Sequence, residues 1–180
     1  MRVCFLDFDG VLNSHWFARQ PQKREAEIED DLDPESIANL DCLLDSARDL
    51  KVVVSSSWRI IFKLPELVAF LGNRGLKNTD RFLDVTPSLS GEQRGAEILT
   101  WLQEHPEVSA YVVLDDDTDM AGVEEHFVHI NREHGLLKVH VQRALRVLQD
   151  VPKSRPGGPS EEAPGPGVVP TPPVAAHPDR

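Results

Sequence analysis

Short apolar runs alternate along the chain with longer segments in which apolar residues recur at helical spacing. Four runs are short and rich in β-branched or aromatic residues, as buried parallel strands are: VCFLDF (3–8), KVVVSS (51–56), YVVLD (111–115) and HFVHI (126–130). Helical patterns cover about 34–50, 64–73, 92–104 and 137–148. This alternation predicts an α/β fold, a doubly wound (Rossmann-like) parallel sheet with helices on both faces.

The last thirty residues differ in composition from the rest of the chain. Residues 151–180 hold nine of the 14 prolines, four glycines and no aromatic residue. Such a segment cannot bury enough apolar surface to offset the loss of chain entropy. We therefore predict one domain over residues 1–150 and a Pro/Gly-rich disordered tail over 151–180.

The net charge of −11 is carried by the predicted domain, because residues 1–150 hold 16 Lys/Arg and 27 Asp/Glu while the tail holds three of each. An acidic surface repels polyanions, so we expect no stable non-specific nucleic-acid binding. Charged residues interrupt every apolar run before membrane-spanning length, and Asp7 and Asp9 interrupt the first run, unlike in a signal peptide. We expect no membrane partner and a cytoplasmic location.

Ligands of open α/β sheets bind at the carboxyl ends of the strands, where the polar residues after each apolar run should meet. Asp7 and Asp9 follow the first run, and Gly10 lets the backbone turn away. One carboxylate can attack phosphorus to form an aspartyl-phosphate, while the other protonates the leaving oxygen and later deprotonates water. The alternative is an acidic turn without chemistry.

The second apolar run ends in serine hydroxyls and the third in carboxylates, and both can bind ligands through their oxygen atoms. Ser55 or Ser56 can donate a hydrogen bond to phosphate or cap the next helix, and Arg59 is either a substrate contact or a surface charge. The aspartates from Asp115 to Asp119 suit a hard cation such as Mg²⁺. A calcium-binding helix-loop-helix site is excluded, because Met120 stands where its glycine is needed. A solvated acidic turn remains the alternative.

Three more residues invite a chemical interpretation. Arg94, at the start of the third helical pattern, can orient the nucleophile and neutralise phosphate charge, or it can be a surface arginine. His126 and His129 could suggest zinc, but three residues apart on a strand they point to opposite faces. We expect them to be ordinary, partly buried histidines.

The set Phe5-Leu6-Asp7-Phe8-Asp9-Gly10-Val11, Val53-Val54-Ser55-Ser56, Arg94 and Leu114-Asp115-Asp116 resembles the four ordered motifs of the haloacid dehalogenase (HAD) superfamily. Within it, Asp9-Gly10-Val11-Leu12-Asn13, Ser-Ser-Ser-Trp-Arg and Arg-Gly-Ala-Glu-Ile look like the HAD domains associated with RNA-repair proteins. The resemblance spans nearly all of residues 1–150.

The resemblance implies a role for each matched residue. Asp7 would be the nucleophile and Asp9 the acid/base, Ser55 or Ser56 would bind phosphate, and Asp115 and Asp116 would bind Mg²⁺. Asp119 is a weaker candidate for a metal ligand. The third motif departs from the family pattern, because Arg94 stands where lysine is usual.

The sequence thus predicts a magnesium-dependent HAD phosphatase with a minimal cap, since some 40 residues between the first two motifs leave no room for a lid domain. We expect Asp7, Asp115 and Asp116, with the backbone carbonyl of Asp9, to hold the metal. The predicted substrate is a phosphorylated small molecule or nucleic-acid end. The alternative is a non-catalytic HAD-fold binding or regulatory module that docks through its tail or the acidic stretch Glu25–Glu35.

Overall fold

The computed structural model describes residues 1–21 and 28–150. The predicted tail (151–180) and the first part of the acidic stretch Glu25–Glu35 lie outside the described residues. The strands are β1 (Arg2–Leu6), β2 (Leu50–Val54), β3 (Phe82–Val85), β4 (Ala110–Asp115) and β5 (Phe127–His129). The α-helices are α1 (His15–Ala18), α2 (Pro34–Ser46), α3 (Leu64–Asn73), α4 (Arg94–Glu104) and α5 (Lys138–Val147), and short 3-10 turns lie at Ile28–Asp31, Ser57–Ile60, Thr79–Arg81 and Glu124–His126.

The five strands form one sheet in the order β3-β2-β1-β4-β5, and all four neighbouring pairs are parallel. The chain runs from β1 outward to β3 on one side and then crosses over to β4 on the other side. This reversal puts the topological switch point between β1 and β4. The register aligns Leu6 with both Val54 and Leu114, so the first, second and fourth strands end at the same level.

Alternate residues of the central strand β1 pack into two cores, one on each face of the sheet. Cys4 and Leu6 join the larger core beneath α2, α3 and α5, whereas Val3 and Phe5 join Ile98 and Trp101 of α4. All four of these β1 residues are fully buried. A strand buried on both faces requires a nearly continuous apolar sequence, which β1 has. The predicted doubly wound parallel sheet is confirmed.

Two details of the sequence prediction were wrong. The helix that begins at Pro34, with Asp33 as its N-cap, ends at Ser46 rather than near Leu50, because Leu50 opens β2. Strand β3 was missed because it has only four residues, with a charged one among them. The Asp84 carboxylate is held by the indole N–H of Trp101 at 2.8 Å.

The described residues between β1 and β2 form α1, one 3-10 turn and α2, and they contain no separate lid domain. Helix α2 packs against α5, where Asn39 donates a hydrogen bond to the Leu136 carbonyl at 2.8 Å. No helix in the described part of the chain combines the length and the apolar character needed to cross a membrane.

Candidate active site

Three carboxylates converge at the switch point of the sheet. Asp7 directly follows β1, Asp115 ends β4, and the Asp7 N–H donates to the Leu114 carbonyl at 3.0 Å, which holds the two strand ends together. Asp7, Asp115 and Asp116 each offer one oxygen, and these three oxygens lie within 4.8 Å of one another. The parallel register therefore brings together residues that are far apart in the sequence.

Two of these carboxylates, Asp7 and Asp115, are buried, and burial disfavours their ionised forms. Burial raises the pKa of Asp7 to about 6, although Arg94, Ser56 and the Phe8 N–H partly oppose this. Burial and the neighbouring Asp7 charge raise the pKa of Asp115 to about 8. The Asp115 Oδ2 is buried and accepts no hydrogen bond within the described residues. A buried carboxylate oxygen that accepts no hydrogen bond, next to two other carboxylates, fits a bound divalent cation.

Asp9 lies at the mouth of the cleft, and three side chains hold its carboxylate. Oδ1 accepts from Asn13 Nδ2 at 2.8 Å and from the Trp58 indole N–H at 3.0 Å, and Oδ2 accepts from the Ser57 hydroxyl at 3.2 Å. Asp9 is exposed, whereas Asp7 is buried. The two carboxylates after β1 therefore occupy different environments, one inside the protein and one at its surface.

The turn that follows Asp9 requires glycine at position 10, because the backbone there passes close to Asp116. Its φ is +68°, and a Cβ there would lie 2.5 Å from the Asp116 carboxyl carbon and 2.9 Å from Arg132 Cβ. A side chain at position 10 would therefore push Asp116 away from Asp7. The turn at Gly10 is thus also a close approach of the backbone to Asp116.

The serines after β2 divide into two buried residues and one that lines the cleft. Ser55 and Ser56 are fully buried. The Ser56 hydroxyl hydrogen-bonds with the Asp7 carboxylate, whereas Ser55 Oγ has no partner among the described residues. Ser57 lines the cleft and donates to Asp9. This role could not be predicted, because the helix-capping and phosphate-binding interpretations both favoured the first two serines.

Arg94 lies in the cleft at the first residue of α4. Its Nη1 donates to the Ser55 carbonyl at 2.5 Å, and its Nε is 3.6 Å from Asp115 Oδ2. Asp119, the weaker metal candidate, instead accepts from the Arg94 backbone N–H at 3.0 Å and so caps α4. Arg94 therefore places a positive charge beside the carboxylates.

Arg59 does not lie where a substrate contact would need it. Its side chain is only 5% exposed and pairs with Glu97 at 2.6 Å. The same guanidinium donates to the carbonyls of Ser56, Thr86 and Pro87. Both interpretations from sequence, substrate contact and surface charge, are corrected by this geometry: Arg59 is a buried residue that fixes the loops behind the cleft.

The cleft has a volume of about 310 Å³. The loops after β1, β2, β4 and β5 and the first residues of α1 and α4 line it with Asp7, Asp9, Gly10, His15, Ser57, Arg94, Asp116, Asp117 and Arg132. His15 and Arg132 were missed, because neither follows an apolar run directly and no motif marks them. His126 forms a hydrogen bond with the Tyr111 carbonyl, and His129 forms one with the Asp116 carbonyl. No described histidine joins the three converging carboxylates.

Residues 3–141 match the family described as the HAD domain in Swiss Army Knife RNA repair proteins. Comparisons with curated proteins and with solved structures found no match. The matched region contains every cleft residue named above, and it is the group of HAD domains that the sequence motifs resemble.

Proposed function

The chain belongs to the HAD domains of Swiss Army Knife RNA repair proteins, and from that membership we propose that it is a magnesium-dependent phosphomonoester hydrolase with Asp7 as its nucleophile. Membership supports a phosphatase-like hydrolase in general terms. The observation that carries the finer proposal is the convergence of Asp7, Asp115 and Asp116 at the switch point, with Asp9 and Arg94 lining the same cleft.

The proposed reaction has two steps that use the two carboxylates after β1. An Asp7 oxygen attacks phosphorus, the bond from phosphorus to the ester oxygen breaks, and Asp9 gives its proton to that leaving oxygen. Asp9 then takes a proton from water, the resulting hydroxide attacks phosphorus, and the bond to Asp7 breaks. The products are the alcohol and inorganic phosphate, and both carboxyl groups return to their starting states.

The geometry supports a positioning role for several neighbours of this pair. The Phe8 N–H donates to Asp7 Oδ1 at 2.8 Å, and Ser56 bonds to the same carboxylate, so the nucleophile is held from two sides. Arg94 would neutralise charge on the transferred phosphate. Of the two serines predicted to bind phosphate, Ser55 has the hydroxyl without a partner among the described residues, and we assign it that role.

Mg²⁺ would be held by the carboxylates of Asp7, Asp115 and Asp116 and the backbone carbonyl of Asp9. When bound, the ion would polarise the phosphoryl oxygens and offset the negative charge that the nucleophile must approach. The absence of a hydrogen bond to Asp115 Oδ2 among the described residues and the crowding of three carboxylates support this assignment.

We propose a nucleotide or a nucleic-acid end as the source of the phosphate. The absence of a lid domain among the described residues leaves the cleft open to a large substrate, and the matched family occurs in RNA repair proteins. The acidic surface argues against binding along a polynucleotide, so recognition would be confined to the terminal phosphate. A cytoplasmic site of action stays a prediction.

The test is hydrolysis of p-nitrophenyl phosphate with Mg²⁺, with EDTA, and with Mg²⁺ restored. We expect activity only with the metal, and none in Asp7→Asn, because an amide of the same shape cannot attack phosphorus. Asp80→Asn is the matched control, since Asp80 is an exposed aspartate outside the cleft.

Three results would contradict the proposal: near-normal turnover by folded Asp7→Asn, full activity in EDTA, or restoration by zinc but never by magnesium. A wild-type protein that hydrolyses no phosphomonoester in a panel of metabolites and oligonucleotides would favour the non-catalytic module.

A further inference from the structure

A second arginine, Arg132, reaches the cleft from the loop after β5. Its Nη2 is 2.8 Å from Asp116 Oδ2 and 3.3 Å from Asp117 Oδ1. The Arg132 side chain is 53% exposed, whereas that of Asp116 is only 8% exposed. Arg132 is thus a solvent-accessible cation that sits on one of the three converging carboxylates.

The backbone around Arg132 is fixed even though its guanidinium is accessible. The Arg132 carbonyl accepts from the His15 N–H at 2.9 Å, and the Glu133 carbonyl accepts from the Trp16 N–H at 2.9 Å. Arg19 forms an ion pair with Glu133. Helix α1 and the 131–135 loop therefore form one wall of the cleft, and from this wall only the long Arg132 side chain needs to move to change partners.

We propose that Arg132 exchanges partners: it neutralises Asp116 while the site lacks metal, and it turns to the substrate phosphate once a divalent cation takes over Asp116. This inference rests on the proposed function, because it requires that Asp116 bind metal and that phosphate enter the cleft. Arg132 would then be a substrate-binding residue outside the four motifs.

Charge balance supports the exchange. A divalent cation and a guanidinium compete for one carboxylate and repel each other, so metal binding weakens the Arg132–Asp116 pair. The incoming phosphate supplies new negative charge, and the planar fork of a guanidinium binds phosphate oxygens in pairs. Among the residues that the structure describes, Arg94 is the other arginine of the cleft, and it already donates to the Ser55 carbonyl.

The test is calorimetry at pH 8 on the full chain, first with Mg²⁺ alone and then with inorganic phosphate added to the Mg²⁺-saturated protein. Removing a competing ion pair should make Arg132→Gln bind Mg²⁺ about two- to fivefold more tightly. Losing a charge-assisted contact should make the same variant bind phosphate about tenfold more weakly. Opposite signs for the two ligands distinguish partner exchange from simple structural damage, which would weaken both.

Two further variants complete the design. Arg132→Lys keeps the charge and should retain the wild-type affinity for Mg²⁺, while binding phosphate less tightly than arginine does because it lacks the fork. Arg146→Gln removes an exposed arginine from α5 and should change neither affinity.

The outcomes distinguish a failure of partner exchange by Arg132 from a failure of the proposed hydrolase function. If the wild type binds Mg²⁺ but Arg132→Gln binds it equally or more weakly, or binds phosphate as the wild type does, partner exchange is overturned and the proposed hydrolase stands. If the wild type binds no Mg²⁺, the proposed function itself fails.

Discussion

Replacing Asp115 with Asn should remove a pH-dependent instability from the metal-free protein. Burial and the neighbouring Asp7 raise the pKa of Asp115 from 3.8 to about 8. In EDTA between pH 5 and pH 7.5, the Asp115 carboxyl is therefore ionised in the unfolded chain but protonated in the folded protein. A carboxyl whose folded pKa is raised stabilises the fold fully only below its unfolded pKa, and that stability is lost as the pH rises toward about 8.

The loss of stability can be calculated, because Asp115 takes up one proton when the chain folds. Each pH unit in this window lowers the free energy of unfolding by about 1.4 kcal/mol, so the loss from pH 5 to pH 7.5 is about 3 kcal/mol. For a domain of this size, that corresponds to about 6–12 °C in Tm. Asn fits the same space and can still accept from the Asp117 N–H, which donates to Asp115 Oδ1 at 2.9 Å.

The assay is thermal unfolding of wild type and Asp115→Asn in EDTA at pH 5 and pH 7.5, repeated with saturating Mg²⁺. The wild type should lose about 3 kcal/mol more than the variant over this range. Magnesium should raise the Tm of the wild type at pH 7.5 and raise that of the variant much less. An equal pH dependence in both proteins would refute the buried, protonated Asp115.

The remaining predictions concern the acid/base, a close backbone contact and the tail. Asp9→Asn should slow turnover by about two to four orders of magnitude, the worth of a positioned general acid, and an unchanged kcat would move that role elsewhere. Gly95→Ala should destabilise by about 1–3 kcal/mol in urea unfolding, because a Cβ there would lie 2.4 Å from the Ala121 carbonyl oxygen. Gly72→Ala is its control and should be neutral or stabilising, because a Cβ there would lie 3.6 Å from Thr79 Cγ2, an ordinary contact distance. Truncation after Asp150 should leave Tm and small-substrate activity nearly unchanged, since the removed segment has few large apolar residues; a fall of several degrees would show that it docks on the domain.

Most of the sheet, and the residues that directly follow its strands, could be predicted from the sequence. Four of the five strands and the positions of Asp7 and Asp115 could be predicted, because a strand buried on both faces is apolar throughout and the polar residues mark where it ends. The missed strand β3 lies at the edge of the sheet, where partial exposure permits a mixed sequence.

The walls of the cleft could not be predicted in the same way. Arg59 looked like a residue of the site because it follows the serines, yet only the fold shows that Glu97 and three carbonyls take up its donors. Arg132 reaches the cleft because α1 and the 131–135 loop are joined by backbone hydrogen bonds, which leave no trace in side-chain patterns.

The pairing of β1 with β4 has a consequence for how the chain folds. It joins Leu6 to Leu114, whereas β1 meets β2 and β2 meets β3 across much shorter stretches of sequence. Closing this longest loop also brings Asp7 and Asp115 together, so loop entropy and the cost of burying and protonating Asp115 oppose the same event. A divalent cation held by the proposed site would offset the second cost at neutral pH, so we expect β4 to dock on β1 faster with the metal than without it.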